Sequence, residues 1–121
     1  MAVVDYQDLP LADRDREWSG DEANSRVREW ADAEESPNER YREAFVWYEP
    51  DDQDKFKGYK FQIADIVDGE LTAVPRAIFN AAAVMQGGRG GADLPKGDID
   101  EVKDHLARYY AKLGDTAPWE E

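Results

Sequence analysis

The sequence predicts an α+β fold: one small, mostly helical domain with four helices and one β-hairpin over residues 19–114, an extended N-terminal arm (1–18) and a C-terminal tail (115–121). Three observations carry this reading. Val102, Leu106, Tyr109, Tyr110 and Leu113 recur at helical spacing before Gly114. Two apolar runs flank Asp68-Gly69, the strongest short-range hairpin signal. A length of 121 residues accommodates one hydrophobic core and not two.

In chain order, the first 18 residues carry scattered apolar positions (Val3, Val4, Tyr6, Leu9, Leu11, Trp18) among acids and Pro10, without a period, and so predict an arm that packs intermittently. Ser19 and Glu22 have capping-box spacing, and Ala23, Val27, Trp30 and Ala31 form a helical stripe reaching about Ala33. Ser36-Pro37-Asn38-Glu39 predicts a second start, with Pro in the first turn. The β-forming run Phe45-Val46-Trp47-Tyr48 follows without a breaker and fits either a strand or the end of that helix. Pro50 and the acids Asp51, Asp52 and Asp54 predict a solvated loop. The hairpin spans the runs on either side of Asp68-Gly69. Pro75 opens a third helix carrying Ala77, Ile78, Ala81, Ala82 and Met85, with Gly87 as its cap. Its alanines suit a close helix neighbour. Gly97 or Asp98 caps the fourth helix, and Trp119 in the tail either docks or frays.

Composition narrows the chemistry. Sixteen Asp and 12 Glu stand against 9 Arg and 6 Lys, a formal charge of -13. Self-repulsion of that size opposes compaction at low salt and weakens as the Debye length falls to roughly 3 Å at 1 M. The preference for Asp over Glu and Arg over Lys is a halophilic bias; an ordinary acidic protein of a mesophile is the alternative. Such a surface disfavours phosphate binding, which needs clustered Lys and Arg. Without cysteine, no disulfide or thiolate metal site forms. The start lacks the pattern of a signal peptide, and no segment approaches a membrane span, so the expected location is the cytoplasm or an assembly made there.

No constellation of residues is equipped for covalent chemistry, and no catalytic, cofactor or metal residue is assigned. The single histidine, His105, is read as a surface residue loosely paired with Glu101. Asp51-Asp52-Gln53-Asp54 lacks the central Gly and twelfth-position acid of a calcium loop. Gly87-Gly88-Arg89-Gly90-Gly91 follows a helix and has no Walker spacing, so it is read as a structural turn whose Arg89 forks toward a carboxylate or carbonyl. Tyr6 and Trp119 fall outside the periodic stripes and are candidate partner anchors, together with Arg76 and Arg89.

LPLADRDREWSGDEANSRVREWA, YREAFVWYEPDDQDKFKGYKFQIADIVDGELTAVPRAIFNAAAVMQGGRGGADLP and VKDHLARYYAKLG resemble a module of tailed-phage and provirus head-assembly genes, found there beside or fused to prohead proteases. The resemblance runs from Leu9 to Gly114, and the blocks Tyr59–Pro75 and Arg89–Pro95 are the most distinctive. It implies a decoration, minor capsid or maturation-associated protein, with no catalytic residues to carry over, and together with the acidic bias it suggests a stand-alone copy from a haloarchaeal virus or provirus. The expected function is non-enzymatic and structural, in the virion or host cytoplasm, with capsid or other head proteins as partners and self-association as a further contact. No membrane is expected as a partner, and nucleic acid is disfavoured. A regulatory or nucleic-acid-associated module of a provirus, using Arg76 and Arg89, is the alternative.

Overall fold

In a computed structural model, residues 3–86 and 94–120 are described. The first helix, α1 (Gly20–Ala31), follows Ser19, whose hydroxyl makes no capping bond. The expected capping box is therefore absent; Asp21 and Glu22 instead place negative charge near the positive end of the helix. Ala23, Val27 and Ala31 are buried, and Asp32 closes the helix in the left-handed region at φ 56°, short of Ala33.

Helix α2 (Glu39–Arg42) is a single turn. Its cap is Asn38 and not Ser36, and Pro37 precedes the cap instead of entering the helix. One side chain serves two helix ends: Asn38 Oδ1 accepts from the Tyr41 N–H at 2.9 Å while Nδ2 donates to the Ala31 carbonyl at 2.8 Å. Both bonds satisfy terminal backbone groups that a helix cannot pair internally.

The run Phe45–Tyr48 is strand β1, antiparallel to β2 (Tyr59–Gln62), with Phe45 opposite Gln62 and Trp47 opposite Lys60. The expected count of one hairpin is thus corrected: among the described residues there are two two-stranded sheets. The loop between β1 and β2 makes two one-turn 3-10 helices, Pro50–Asp52 and Phe56–Gly58. Gly58 is required there, because a Cβ would lie 2.5 Å from the Asp52 carbonyl oxygen. The anticipated hairpin is β3 (Ala64–Val67) with β4 (Glu70–Ala73). Asp68 and Gly69 turn at φ 53° and 82°, the two positive values of a two-residue type I′ loop. Buried Ile63 joins the ribbons, donating its N–H to the Ala44 carbonyl while its own carbonyl accepts from Val74.

Helix α3 (Pro75–Met85) begins with Pro in the first turn and buries Ala77, Ile78, Ala81 and Ala82, which lets α4 (Lys96–Lys112) pack closely on it. Asp98 is not the cap of α4; it lies inside the first turn, and its Oδ2 accepts from Trp47 Nε1 at 2.9 Å. Val102, Leu106 and Tyr109 are fully buried, and Gly114 at φ 80° ends the helical path. Helix α1 packs on β3, α3 on β2 and α4 on β1, so one core lies between the helices and both ribbons.

Candidate protein-binding surface

The two ends of the chain converge on α4. At 100° per residue, Val102, Leu106 and Tyr109 point into the core, and Asp100, Asp104 and Ala111 form the solvent face. The arm lies along one flank of that face and the tail along the other.

The arm is built into the domain. Val4 and Leu9 are buried. The Val4 N–H donates to the Val46 carbonyl at 2.8 Å, beside a bridge between Val3 and Trp47. Farther on, Ala12 donates to the Ala73 carbonyl and Ala73 to the Pro10 carbonyl, both at 2.8 Å, around a parallel bridge between Leu11 and Ala73. One segment thereby covers an edge of each sheet. Asp8, at φ 50°, bends the chain between the two pairings.

Between these pairings α4 holds the arm by side chains. Lys112 Nζ donates to the Leu9 carbonyl at 2.7 Å and to Asp8 Oδ1 at 3.0 Å. Leu9 N–H donates to the Tyr109 hydroxyl at 3.3 Å. Burial of that phenol raises its pKa to about 12. The Lys112 and Tyr6 hydrogen bonds hold the Asp8 carboxyl below its ordinary range.

His105 corrects the surface reading. It is 5% exposed, and its Nδ1 lies 2.8 Å from the Val4 carbonyl oxygen, an acceptor that requires the proton on Nδ1. Burial depresses its pKa, partly opposed by the Val4 carbonyl. Sequence could not place it because its partner is 101 residues away.

Tyr6 seals this flank, with its ring 4.7 Å from Tyr109, edge-on to His105 at 5.7 Å, and the Arg108 guanidinium 5.4 Å from its centroid. Burial, then the hydrogen bond to Asp8, raises its hydroxyl pKa to about 12. On the opposite flank the tail folds back: Ala117 is fully buried, Trp119 meets Tyr110 edge-on at 6.3 Å, and Lys103 Nζ lies 5.7 Å from the indole. Arg14 and Asp115 form an ion pair that ties arm to tail. Two of the sequence candidates, Tyr6 and Trp119, therefore bracket one helix, each half-buried with a cation near its ring. Arg76 is exposed on α3. The Gly87–Gly91 turn and Arg89 lie outside the described residues.

Sequence reasoning missed a buried charge cluster. Asp65, 2% exposed, accepts from Arg26 Nε and Nη2 at 2.8 and 2.7 Å, from Arg16 Nη2 at 3.3 Å and from the Ile66 N–H at 2.7 Å. Burial alone would raise its pKa, but these donors outweigh burial and hold it below the usual range. The only signal was an acid inside an apolar strand, which does not name its partners. Among the described residues, no group of three or more His, Asp or Glu is arranged to hold a metal, and no helix is long and apolar enough to cross a membrane.

Compared with family models, curated proteins and solved structures, the chain matches none.

Proposed function

We propose that this protein is a non-enzymatic viral structural or head-assembly component, acting in the virion or host cytoplasm through contacts with capsid or other head proteins. The observation that carries the reading is the pairing of Tyr6 and Trp119 on opposite flanks of α4, each half-buried and each with a cation at its ring. Tyr and Trp are enriched among the residues that dominate the energetics of protein interfaces, because they bring large contact area at low conformational cost. Here they are already oriented. The resemblance of Leu9–Gly114 to head-assembly modules supplies the biological setting, and the charge of -13 favours protein contacts in salt over phosphate binding. Mass spectrometry of purified proheads and mature particles tests the proposal: the protein is expected in at least one of them, and absence from both would refute it.

A further inference from the structure

We propose that the cavity between the start of the arm and α4 is a binding site for a primary ammonium group, which donates to His105 Nε2 and to the carboxylates around the opening. The site does not depend on the head-assembly reading, because the ammonium can belong to a free amine or to a lysine of a partner protein.

The cavity holds about 360 Å³ and is walled by Val3–Tyr6 on the arm and by Glu101, Asp104, His105 and Arg108 on α4. At roughly 30 Å³ for each liquid water, it has room for a short alkylamine. His105 is the group that points to a ligand. The residue is 5% exposed, yet only one of its ring nitrogens is used: Nδ1 donates to the Val4 carbonyl at 2.8 Å. The proton is therefore on Nδ1, and Nε2 is left as an acceptor. Among the described residues Nε2 meets no donor, and it is not sealed from solvent, so it opens onto the cavity that the ring lines. Burial, more than any neighbouring charge, depresses the imidazole pKa; Arg108 acts in the same direction and Asp5 against it. The acceptor is thereby kept free of a proton above neutral pH.

The charges around the ring call for a donor as well. Asp5, Glu101 and Asp104 form no ion pair among the described residues. The one base in the lining, Arg108, lies over the Tyr6 ring, 5.4 Å from its centroid. The lining is therefore net negative and rich in acceptors. A cation with several N–H donors on one atom satisfies both conditions, and an ammonium is that group. An anionic ligand would meet like charge. A metal ion is not the match, since among the described residues no group of three or more His, Asp or Glu is arranged to hold one.

His105 is the only histidine of the chain, so its Nε2 gives one unambiguous nitrogen NMR signal. The isotopically labelled protein is titrated above neutral pH with n-butylammonium chloride and, in parallel, with n-butyltrimethylammonium chloride, which keeps the charge and the alkyl chain but has no N–H donor. Sodium chloride holds the ionic strength constant. The primary amine is expected to shift the Nε2 signal saturably, at a concentration about tenfold or more below any effect of the quaternary ion, because the hydrogen bonds to charged groups are lost on methylation. Glu101→Gln/Asp104→Asn should need several-fold more amine. Glu34→Gln/Glu35→Gln, which removes the same charge from exposed positions outside the cavity, should bind as the wild type does. A further titration with Nα-acetyl-lysine amide separates the sources: a shift at comparable concentration assigns the site to lysine side chains, and its absence assigns the site to free amines. The proposal is overturned if n-butylammonium gives no saturable Nε2 shift or the quaternary ion acts as strongly. It is equally overturned if the Glu101/Asp104 variant binds no more weakly than the Glu34/Glu35 control.

Discussion

Asp65→Asn removes the charge at the centre of the Arg16–Asp65–Arg26 cluster with almost no change in shape. Removing one partner of a buried ion pair costs about 3–5 kcal/mol. Two features of this site reduce that figure. The arginine side chains are 34% and 44% exposed, so water takes over part of their solvation. Asparagine also keeps an oxygen for the Ile66 N–H or one Arg26 N–H. The expected loss is about 2–3 kcal/mol, a fall in melting temperature of about 6–15 °C for a chain of this size. The pH dependence has a definite sign. The folded carboxyl titrates below its ordinary 3.8, so near that value the unfolded chain binds more protons, and the cluster's contribution is present above it and lost as pH falls through the folded pKa. Urea titrations followed by tryptophan fluorescence in molar salt, from neutral to acid pH, measure both quantities. A loss below about 0.5 kcal/mol at neutral pH, within the range of ordinary surface substitutions, would show that the arginines gain nothing from Asp65.

His105→Phe should flatten the stability profile just below pH 6.5: the wild-type imidazole is held below that value, so its contribution is present above 6.5 and declines as the unfolded chain takes up the proton first. Parallel urea titrations across that range check it, and an unchanged slope counts against a buried neutral His105. Gly58→Ala should destabilise by about 1–3 kcal/mol, because the new methyl meets the Asp52 backbone and no flexible side chain can give way; thermal melts read this directly. Raising salt from millimolar to molar should lift the melting temperature of the wild type by screening its net charge of -13, and a flat response would remove the salt-adapted reading of the surface. Trp119→Ala should leave the fold intact while exposing Tyr110, since the indole is half-buried and touches that ring only at its edge; circular dichroism and tyrosine emission report the two effects.

Elements specified by local chemistry were legible. The Asp68-Gly69 turn, Pro75 at the start of α3 and the stripe on α4 each needed only neighbours within a few residues. The second ribbon was not legible in the same way. Strand β1 pairs with β2 across a loop of ten residues, and nothing local distinguishes a strand from a helix end when its partner is that far away. The cap positions erred for a related reason. Ser36 and Asp98 have the right chemistry for capping, but Asn38 reaches two helix ends at once and Asp98 is claimed by the indole of Trp47.

The candidate surface divides likewise. Tyr6 and Trp119 stood out because they belong to no periodic stripe, whereas His105 was read as exposed because its carbonyl partner comes from the other end of the chain. The sequence by itself determined the α+β class, the charge, the absence of thiol chemistry and the helices with local start and stop signals. Tertiary structure alone decided that the arm closes two sheet edges, that both termini flank α4, and that Asp65 is buried between two arginines. Those features depend on groups up to about a hundred residues apart meeting in space. Their energies come from desolvation and geometry, which no local window of sequence contains.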